Sequence, residues 1–341
     1  MAKNREKVFI TGIAGFLGSH LADRMLGLGH EVSGCDNLLG GYRDNLSKGV
    51  TFHKVDARDF PRMKKLLKGI DILYHCAAAP HEGLSVFSPN LITEHTYNST
   101  VVSVTAAVIN NVRRVVFCSS MARYGHQGGK GGMFDETMLP HPVDPYGVAK
   151  YASELFIETM AEAHGFEYVH AVPHNIYGPR QKYDDPYRNV VSIMINRMLR
   201  GEQPIIYGDG MQKRSFTYIT DAISVLEKMA FQKNVNREII NIGPDEEFVT
   251  VNALAKLIAE LLNFKLKPLY VPSRPQEVKY AGCVADKARK LLKYKTTMGL
   301  REGVERTVKW IKARGPRPFE YHLALEIIND KTPDTWKKKL I

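Results

Sequence analysis

Near the N-terminus stands the sequence Val8-Phe-Ile-Thr11-Gly12-Ile-Ala-Gly15-Phe-Leu-Gly18, in which an apolar run leads directly into a glycine-rich turn. The helix-like stretch Ser19–Gly27 follows at once. This order predicts a β-strand, a tight turn and the first turn of a helix. Glycines let the backbone approach a pyrophosphate closely, and the free amides at a helix N-terminus favour its negative charge. The stretch therefore predicts a dinucleotide-binding site.

A second predicted strand, Glu31–Cys35, ends directly before Asp36. A carboxylate at this position can hold the hydroxyls of an adenosine ribose and would repel a 2′-phosphate. The sequence therefore favours NAD over NADP. A glycine triplet alone is more often an ordinary tight turn, but the strand, the helix and the acid together favour dinucleotide binding.

Short apolar runs alternate with helix-like stretches along the first half of the chain, and they cover residues 31–36, 51–56, 70–76, 114–119 and 168–172. Such alternation predicts an α/β fold with a doubly wound, Rossmann-like parallel sheet, which binds ligands beyond the carboxyl ends of its strands. We expect residues 1–174 to form the NAD-binding domain, with a segment near 215–245 returning to its sheet. Because the pattern loosens after residue 175, residues 175–341 are expected to form a smaller C-terminal α/β substrate lobe and a tail.

A tyrosine and a lysine four residues apart, Tyr146 and Lys150, stand at the start of a helical pattern and so share one helix face. A phenol that acts as a base at neutral pH needs its pKa lowered by about three units, or roughly 4 kcal/mol. An ammonium about 5 Å away supplies about 3 kcal/mol at an effective dielectric constant near 20, so one lysine accounts for most of this shift. Taken alone, the pair is typical of a solvated helix edge.

Four motifs, taken in order, resemble the extended short-chain dehydrogenase/reductase family, and within it the nucleotide-sugar epimerases and dehydratases. They are Gly12-x-x-Gly15-x-x-Gly18, Cys118-Ser-Ser120-x-x-x-Tyr124-Gly125, Tyr146-x-x-x-Lys150 and Asn175-Ile-Tyr-Gly-Pro-Arg180. The resemblance extends over most of the chain, to about residue 290. Several motifs in the same order are far more specific than any one of them.

The resemblance implies an NAD-dependent enzyme that epimerises C4 of a UDP-hexose, most like the enzymes that interconvert UDP-glucose and UDP-galactose. In such a reaction Tyr146, as a phenolate, would take the proton of the sugar 4-hydroxyl while NAD takes a hydride from C4, giving a transient 4-keto sugar. Lys150 would lower the tyrosine pKa and hydrogen-bond the nicotinamide ribose. Ser120 would bond the reacting oxygen and relay the proton.

The residues after Ser120 separate the reactions of this family. Relatives that dehydrate or decarboxylate their substrates resemble one another in carrying acidic groups there, whereas this chain has Met121 and Ala122. Neither can transfer a proton, which favours simple 4-epimerisation. The alternatives are a UDP-glucuronate 4-epimerase, an NDP-sugar 4,6-dehydratase and a non-catalytic NAD-binding protein. The last would have no use for Ser120, Tyr146 and Lys150 together.

The resemblance also implies which residues contact each ligand. Cofactor contacts are expected from Gly12, Gly15, Phe16, Leu17, Gly18, Asp36, Asn37, Asp56, Ala57, Ala77, Ala78, Ala79, Tyr146 and Lys150. Substrate contacts are expected from Ser120, Tyr146, Asn175, Asn189, Val190, Tyr207, Arg214, Arg274, Glu277 and Cys283. The small Cys283 stands where relatives carry a residue that gates the 2-substituent, which predicts tolerance of 2-acetamido sugars. Thr96 replaces a usual asparagine, which leaves one cofactor contact open.

Composition is typical of an enzyme with a large core, because 44% of the 341 residues are apolar. We expect a cytoplasmic protein, since no run of eighteen apolar residues and no signal peptide are present. The four cysteines lack a C-x-x-C pair and are expected to be reduced. His170 and His174 straddle Pro173 in an extended segment, so we expect no metal site.

The net charge of +11 would also suit a nucleic-acid-binding protein. Basic residues are instead spread along the chain without interleaved aromatic residues, so we expect a solvated surface and no nucleic-acid partner. No membrane partner is expected either. By analogy with relatives, a homodimer is expected to form through helices near residues 93–110 and 146–164.

Overall fold

A seven-stranded parallel sheet forms the centre of the computed structural model, which describes residues 5–127 and 131–341. The strands in these residues are β1 (Lys7–Thr11), β2 (Glu31–Cys35), β3 (Thr51–His53), β4 (Ile72–His75), β5 (Arg114–Cys118), β6 (Met133–Phe134), β7 (Glu167–Pro173), β8 (Ile176–Tyr177), β9 (Ile205–Tyr207), β10 (Lys213–Arg214), β11 (Thr217–Tyr218), β12 (Glu238–Ile242), β13 (Val249–Thr250), β14 (Leu269–Val271) and β15 (Tyr280–Cys283).

Helices cover both faces of this sheet and build much of the second lobe. They are α1 (Phe16–Gly27), α2 (Phe60–Leu66), α3 (Glu82–Ser85), α4 (Pro89–Thr93), α5 (Ser99–Ile109), α6 (Pro145–His164), α7 (Val190–Leu199), α8 (Ile219–Phe231), α9 (Val251–Leu262), α10 (Asp286–Leu292), α11 (Leu300–Arg314) and α12 (Asp334–Lys337). A π-helical turn, Glu94–Asn98, joins α4 to α5. Short 3₁₀ turns cover Arg43–Asn45, Met121–Tyr124 and Lys233–Val235.

The strand order across the central sheet is β12-β7-β5-β4-β1-β2-β3, and every neighbouring pair is parallel. Strands β2 and β3 follow β1 in the chain and lie on one side of it in the sheet. The next strand, β4, pairs with β1 on the opposite side. The crevice between β1 and β4 is therefore the topological switch point, where open α/β sheets bind their ligands. The predicted doubly wound α/β fold is confirmed.

The first strand shows why the sheet has this layered form. Val8 and Ile10 are fully buried in the cluster that contains residues of α1 and α8, whereas Phe9 is fully buried in the cluster that contains residues of α5. Parallel strands that are covered on both faces need apolar residues at consecutive positions, which explains the unbroken apolar run in the sequence.

The second lobe is interleaved with the first. Its four-stranded sheet has the order β13-β10-β15-β6, so that β6, which precedes residue 174, joins strands from the C-terminal half. Conversely, β12 lies in the segment expected to return near residues 215–245 and completes the central sheet beside β7. One apolar cluster contains both Val8 of the central sheet and Leu254 of α9. The two lobes thus share strands and a core.

The C-terminal tail packs over the second lobe beside the ligand crevice. Trp336 of α12 is 2% exposed and contacts the rings of Phe87, Tyr187 and Tyr207 at centroid distances of 6.0, 5.2 and 6.5 Å. The Thr335 hydroxyl is 2.7 Å from the Tyr207 hydroxyl. The tail therefore packs on Tyr187 and Tyr207 of the second lobe and on Phe87 of the first.

None of the helices in residues 5–127 and 131–341 is both long enough and apolar enough to span a membrane.

Candidate active site

A long cavity runs along the carboxyl ends of the central strands and continues between the two lobes. Most residues that the sequence predicts for either ligand line this cavity. They are Gly12, Gly15, Phe16, Leu17, Gly18, Asp36, Asn37, Asp56, Ala57, Ala77, Ala78, Ser120, Tyr146, Lys150, Asn175, Asn189, Val190, Tyr207, Arg214, Arg274 and Glu277. Residues as far apart in sequence as Gly12 and Glu277 thus line one cavity. Ala79 and Cys283 are the two predicted residues that its lining does not include.

The glycine turn at one end of the cavity has no room for side chains. A Cβ atom on Gly18 would lie 2.2 Å from the Gly12 carbonyl oxygen, and Gly12 itself has a φ of +70°. No side chain caps the N-terminus of α1, since Gly15 is the N-cap residue. Uncapped amides and the positive end of the helix dipole therefore face the cavity, an arrangement that fits the pyrophosphate of a dinucleotide.

Asp36 lies at the end of β2 beside this turn and is 8% exposed. Its carboxylate accepts hydrogen bonds from the backbone amides of Ala14, at 3.0 Å, and Leu38, at 2.7 Å. Burial raises the Asp36 pKa, and these amide bonds oppose the increase. The two bonds hold the carboxylate at the cavity wall, which suits a contact with ribose hydroxyls.

Asn37 and Asp56 continue the same wall. The Asn37 side-chain amide donates to the Asp56 carboxylate at 2.9 Å, and Arg58 pairs with the same carboxylate at 3.0 Å. Although partial burial alone would raise it, the bonds from Arg58 and Asn37 hold the Asp56 pKa well below its usual range. These contacts fix a part of the wall that the resemblance predicts to contact the cofactor.

Arg188 is a cavity residue that the sequence analysis did not identify. Its guanidinium donates to the Gly40 carbonyl oxygen at 3.3 Å, and no carboxylate of the described residues lies within ion-pair distance of it. Burial lowers the Arg188 pKa. A half-buried cation that lines the cavity without an ion pair is free to bind an anion, and the phosphates of a bound nucleotide can provide one.

Helix α6 positions the tyrosine and the lysine. Asp144 caps the helix by accepting a hydrogen bond from the Gly147 amide at 2.9 Å, and Pro145 occupies its first position. Tyr146 and Lys150 then lie one helical turn apart and are 5% and 2% exposed. The Lys150 ammonium donates to the Cys118 carbonyl oxygen at 2.6 Å, which ties the helix to the end of β5.

Ser120 follows β5 and faces the same part of the cavity. It has extended backbone geometry and caps the 3₁₀ turn by accepting a hydrogen bond from the Ala122 amide at 3.2 Å. Its hydroxyl also interacts with the Tyr146 phenol and lowers the phenol pKa. The three residues expected to catalyse the reaction therefore meet at one point.

The protein's own groups raise the Tyr146 pKa, whereas the sequence predicts that Lys150 lowers it. Burial raises the Tyr146 pKa well above its usual value, the charge of Glu82 raises it further, and Ser120 and Arg188 oppose this increase only in part. The Lys150 ammonium is 5.9 Å from the centre of the tyrosine ring. The loss of hydration around the buried phenolate is the largest of these effects and dominates over the charges near it.

Lys150 leads to a prediction about stability. Burial lowers its pKa from 10.5 to about 8, so the unfolded chain binds more protons than the folded protein between these two pH values. The free energy of unfolding should therefore rise with pH in this window. The rise should reach about 2 kcal/mol between pH 7.5 and pH 9.5.

Urea denaturation of the cofactor-free protein at these two pH values measures the rise. Lys150→Met should lack it, whereas Lys256→Met, at an exposed position on α9, should keep it. An equal rise in the wild-type protein and Lys150→Met would show that Lys150 is not the group that titrates.

Two arginines lie at the far end of the cavity. The Arg274 guanidinium is 4.6 Å from the centre of the Tyr207 ring and 3.2 Å from the Glu277 carboxylate. Arg214 donates to three backbone carbonyl oxygens, among them that of Val278 at 2.5 Å. This positive and aromatic end fits the diphosphate and base of a nucleotide.

The two asparagines lie between the ends. The side-chain amide of Asn175 donates to the Ser215 carbonyl oxygen at 3.0 Å, and Asn175 has a φ of +37°. Asn189 caps α7 by accepting from the Val191 amide at 2.9 Å, and Val190 is the first residue of that helix. Both asparagines are therefore held in place by the backbone while they line the cavity.

Two predicted contacts are corrected. Cys283 is fully buried at the end of β15, where it pairs with Phe134 of β6 and its thiol faces the Pro244 carbonyl oxygen. It does not line the cavity, so a direct contact with the 2-substituent is not seen, and the expected tolerance of 2-acetamido sugars stays a prediction. Ala79 is 1% exposed and packs against Tyr146 and Ile92 instead of facing the cofactor space.

The expectations of reduced cysteines and of no metal site concern residues that the structure describes. All four cysteines are free thiols, with the Cys76 and Cys118 sulfur atoms 3.4 Å apart in the cavity floor. Within residues 5–127 and 131–341, no group of three or more His, Cys, Asp or Glu residues is arranged to hold a metal ion. His174 is fully buried, and burial lowers its pKa to about 3, so it is neutral.

Comparison with known proteins agrees with this geometry. The model of the NAD dependent epimerase/dehydratase family matches residues 8–243. UDP-glucose 4-epimerase of Thermotoga maritima, whose structure contains UDP-glucose, is 31% identical with a TM-score of 0.84, and the match covers 90% of this chain and 99% of that one.

Two further solved structures are similar to this chain over nearly the whole of both chains. UDP-N-acetylglucosamine 4-epimerase of Methanobrevibacter ruminantium is 29% identical with a TM-score of 0.84, over 92% of this chain and 100% of that one. UDP-glucuronic acid 4-epimerase of Bacillus cereus, solved with UDP-glucuronic acid and NAD, is 29% identical with a TM-score of 0.83, over 91% and 100%. From the glycine turn to the returning strand, this chain belongs to the NAD-dependent epimerase/dehydratase family of nucleotide-sugar enzymes.

Proposed function

We propose that the protein interconverts the C4 epimers of a UDP-hexose, with UDP-glucose and UDP-galactose as its substrates. One observation carries this proposal. Ser120, Tyr146 and Lys150 lie in a single cavity between the glycine turn of α1 and the arginines Arg214 and Arg274. A dinucleotide bound at the first end and a nucleotide diphosphate at the second would bring a hexose beside the tyrosine.

Each catalytic residue has a distinct role in this reaction. Tyr146 accepts the proton of the 4-hydroxyl and later returns it, and Ser120 holds the reacting oxygen by a hydrogen bond. Bound NAD supplies a hydride acceptor and, in its oxidised form, a positive charge that favours the phenolate. Lys150 anchors α6 to β5 and orients the face that carries the tyrosine.

The absence of an acid after Ser120 supports epimerisation over dehydration. Met121 and Ala122 are 8% and 7% exposed and carry no titratable group. Expulsion of the 6-hydroxyl needs an acid beside that oxygen, whereas epimerisation needs only one proton acceptor at O4. A UDP-glucuronate 4-epimerase is the second candidate, because the relatives include an enzyme of that kind with 29% identity.

Product analysis tests the proposal. Purified protein, without added cofactor, is incubated with UDP-galactose, and the formation of UDP-glucose is followed by chromatography. We expect conversion to an equilibrium mixture of the two sugars without net reduction of NAD. A 4-keto-6-deoxy product would favour dehydration, and turnover of UDP-glucuronate alone would favour the second candidate.

We also propose that two copies of the chain pair through α5 and α6. The two helices pack against each other, and three large apolar side chains on them are exposed, namely Ile109, Val148 and Leu155, at 45%, 53% and 46%. A second copy that covers this face would remove these side chains from water. Sedimentation velocity should give a mass near twice that of the chain, and a monomer would contradict the pairing.

A further inference from the structure

We propose that Glu82 selects the substrate, by accepting hydrogen bonds from the hydroxyls of a neutral hexose and by excluding a hexuronate. This inference rests on the proposed function and names the class of sugar that the same site takes. It depends on where the Glu82 carboxylate lies, on its lack of partners and on the charges around it.

Glu82 is an exposed acid in the wall of the cavity. It is the first residue of α3, directly after the buried His81, and its exposed side chain lines the same cavity as Tyr146 and Arg274. A carboxylate at this place faces the space that a ligand would occupy rather than the outer surface of the protein.

The Glu82 carboxylate has no partner in the described part of the chain, where no side chain or backbone amide is within hydrogen-bond or ion-pair distance of it. The neighbouring Asp144 differs, because its carboxylate is engaged by the Gly147 amide at 2.9 Å as the cap of α6. Glu277 likewise is paired with Arg274. Glu82 is thus the carboxylate in this part of the cavity that keeps its full capacity to accept hydrogen bonds.

Charges around Glu82 place it between the two ends of the expected substrate. On one side, its charge is close enough to raise the pKa of Tyr146. On the other side, the positive charges of Arg214 and Arg274 lower the Glu82 pKa, although limited hydration and the charge of Asp144 raise it to about 7 overall. The tyrosine marks the reacting C4 and the arginines mark the diphosphate, so Glu82 lies beside the sugar ring that joins them.

A carboxylate beside the ring discriminates between neutral and acidic sugars. Hydroxyl groups donate to it and form charge-assisted hydrogen bonds, which are stronger than those between neutral groups. A hexuronate would bring a second carboxylate into the same enclosed space, beside Glu82 and Asp144, where like charges repel each other. UDP-glucose and UDP-galactose should therefore bind productively, and UDP-glucuronate should not.

The test compares the wild-type protein with Glu82→Gln, which keeps the size and removes the charge. Turnover of UDP-galactose and of UDP-glucuronate is measured at pH 8.5, where the wild-type carboxylate is ionised. The wild-type protein should prefer UDP-galactose. In Glu82→Gln, the kcat/KM for UDP-galactose divided by that for UDP-glucuronate should fall at least about tenfold. Loss of a charged hydrogen bond to the neutral sugar and loss of the repulsion of the uronate both lower this ratio.

Binding provides a second measurement that does not depend on turnover. Calorimetry should show weaker binding of UDP-glucose to Glu82→Gln but unchanged binding of UDP, which lacks the hexose. Glu162→Gln, on the outer face of α6, is the matched control and should behave as wild type in both measurements. Thermal denaturation of Glu82→Gln checks that the fold is retained.

Three results would overturn the role of Glu82. The first is that the wild-type protein and Glu82→Gln prefer UDP-galactose over UDP-glucuronate to the same extent, and the second is efficient turnover of UDP-glucuronate by the wild-type protein. The third is that Glu82→Gln weakens the binding of UDP and of UDP-glucose equally. Each of them leaves the family chemistry intact. Failure of the wild-type protein to turn over any UDP-hexose would instead contradict the proposed function. In that case the difference between UDP and UDP-glucose binding still decides whether Glu82 contacts the sugar.

Discussion

Tyr146→Phe should lower kcat for the conversion of UDP-galactose by roughly 10³-fold, because it removes the hydroxyl that accepts and returns the proton at O4. The ring itself should stay in place, since it packs with Ala79, Ile92 and Ala122 in a small buried cluster. The KM and the bound cofactor are therefore expected to change little. Initial rates from the UDP-galactose assay, together with the NAD released on denaturation, measure these quantities.

A control on the same helix separates this effect from a general disturbance of α6. Tyr151→Phe also removes one phenolic hydroxyl, but Tyr151 does not line the cavity. That variant should keep wild-type activity. If Tyr146→Phe kept full activity, or if both variants lost it equally, Tyr146 would not be the proton acceptor.

The sequence predicted correctly the features that are determined by residues close together in the chain. The strand, the turn and the helix start occupy residues 7–27 without interruption, and Asp36 lies directly at the end of the next strand. Steric limits on Gly12 and Gly18 and the period of the apolar residues act over a few positions. The fold class and the cofactor end of the cavity could therefore be derived from the chain alone.

The features that the sequence missed depend on distant segments. Glu82 and Arg188 carry no motif around them, and only the packing of α3 and of the segment before α7 brings both to the cavity. Trp336 reaches Tyr187 and Tyr207 because the tail folds back over the lobe. No local pattern encodes such contacts, since each depends on the completed fold.

Errors of a different kind concern Cys283 and the Tyr146 pKa. The resemblance predicts that Cys283 contacts the substrate, but the pairing of β15 with β6 turns its thiol into the core. Alternation along a strand decides which face a residue lies on, and a shift of one position reverses it. The Tyr146 pKa depends on burial as well as on the charges near it, and burial can be judged only from the folded protein.

Gly18→Ala should abolish NAD binding and destabilise the protein by about 3 kcal/mol. The added methyl group would lie 2.2 Å from the Gly12 carbonyl oxygen and 2.9 Å from the Ile13 Cα atom. Both are backbone atoms, so no side-chain rotation can relieve the contact. The same carbonyl oxygen accepts a hydrogen bond from the Gly15 amide at 3.0 Å, so a shift of Gly12 would distort the whole turn.

Gly27→Ala is the matched control, because Gly27 ends the same helix and a Cβ atom there would meet nothing within 4 Å. That variant should keep bound NAD, and its stability should be unchanged or raised by up to about 1 kcal/mol, since alanine favours the helix. Urea denaturation and the NAD content of the purified proteins measure both effects. Retention of NAD and of wild-type stability in Gly18→Ala would mean that the close approach of α1 to the turn is not what builds the pyrophosphate site.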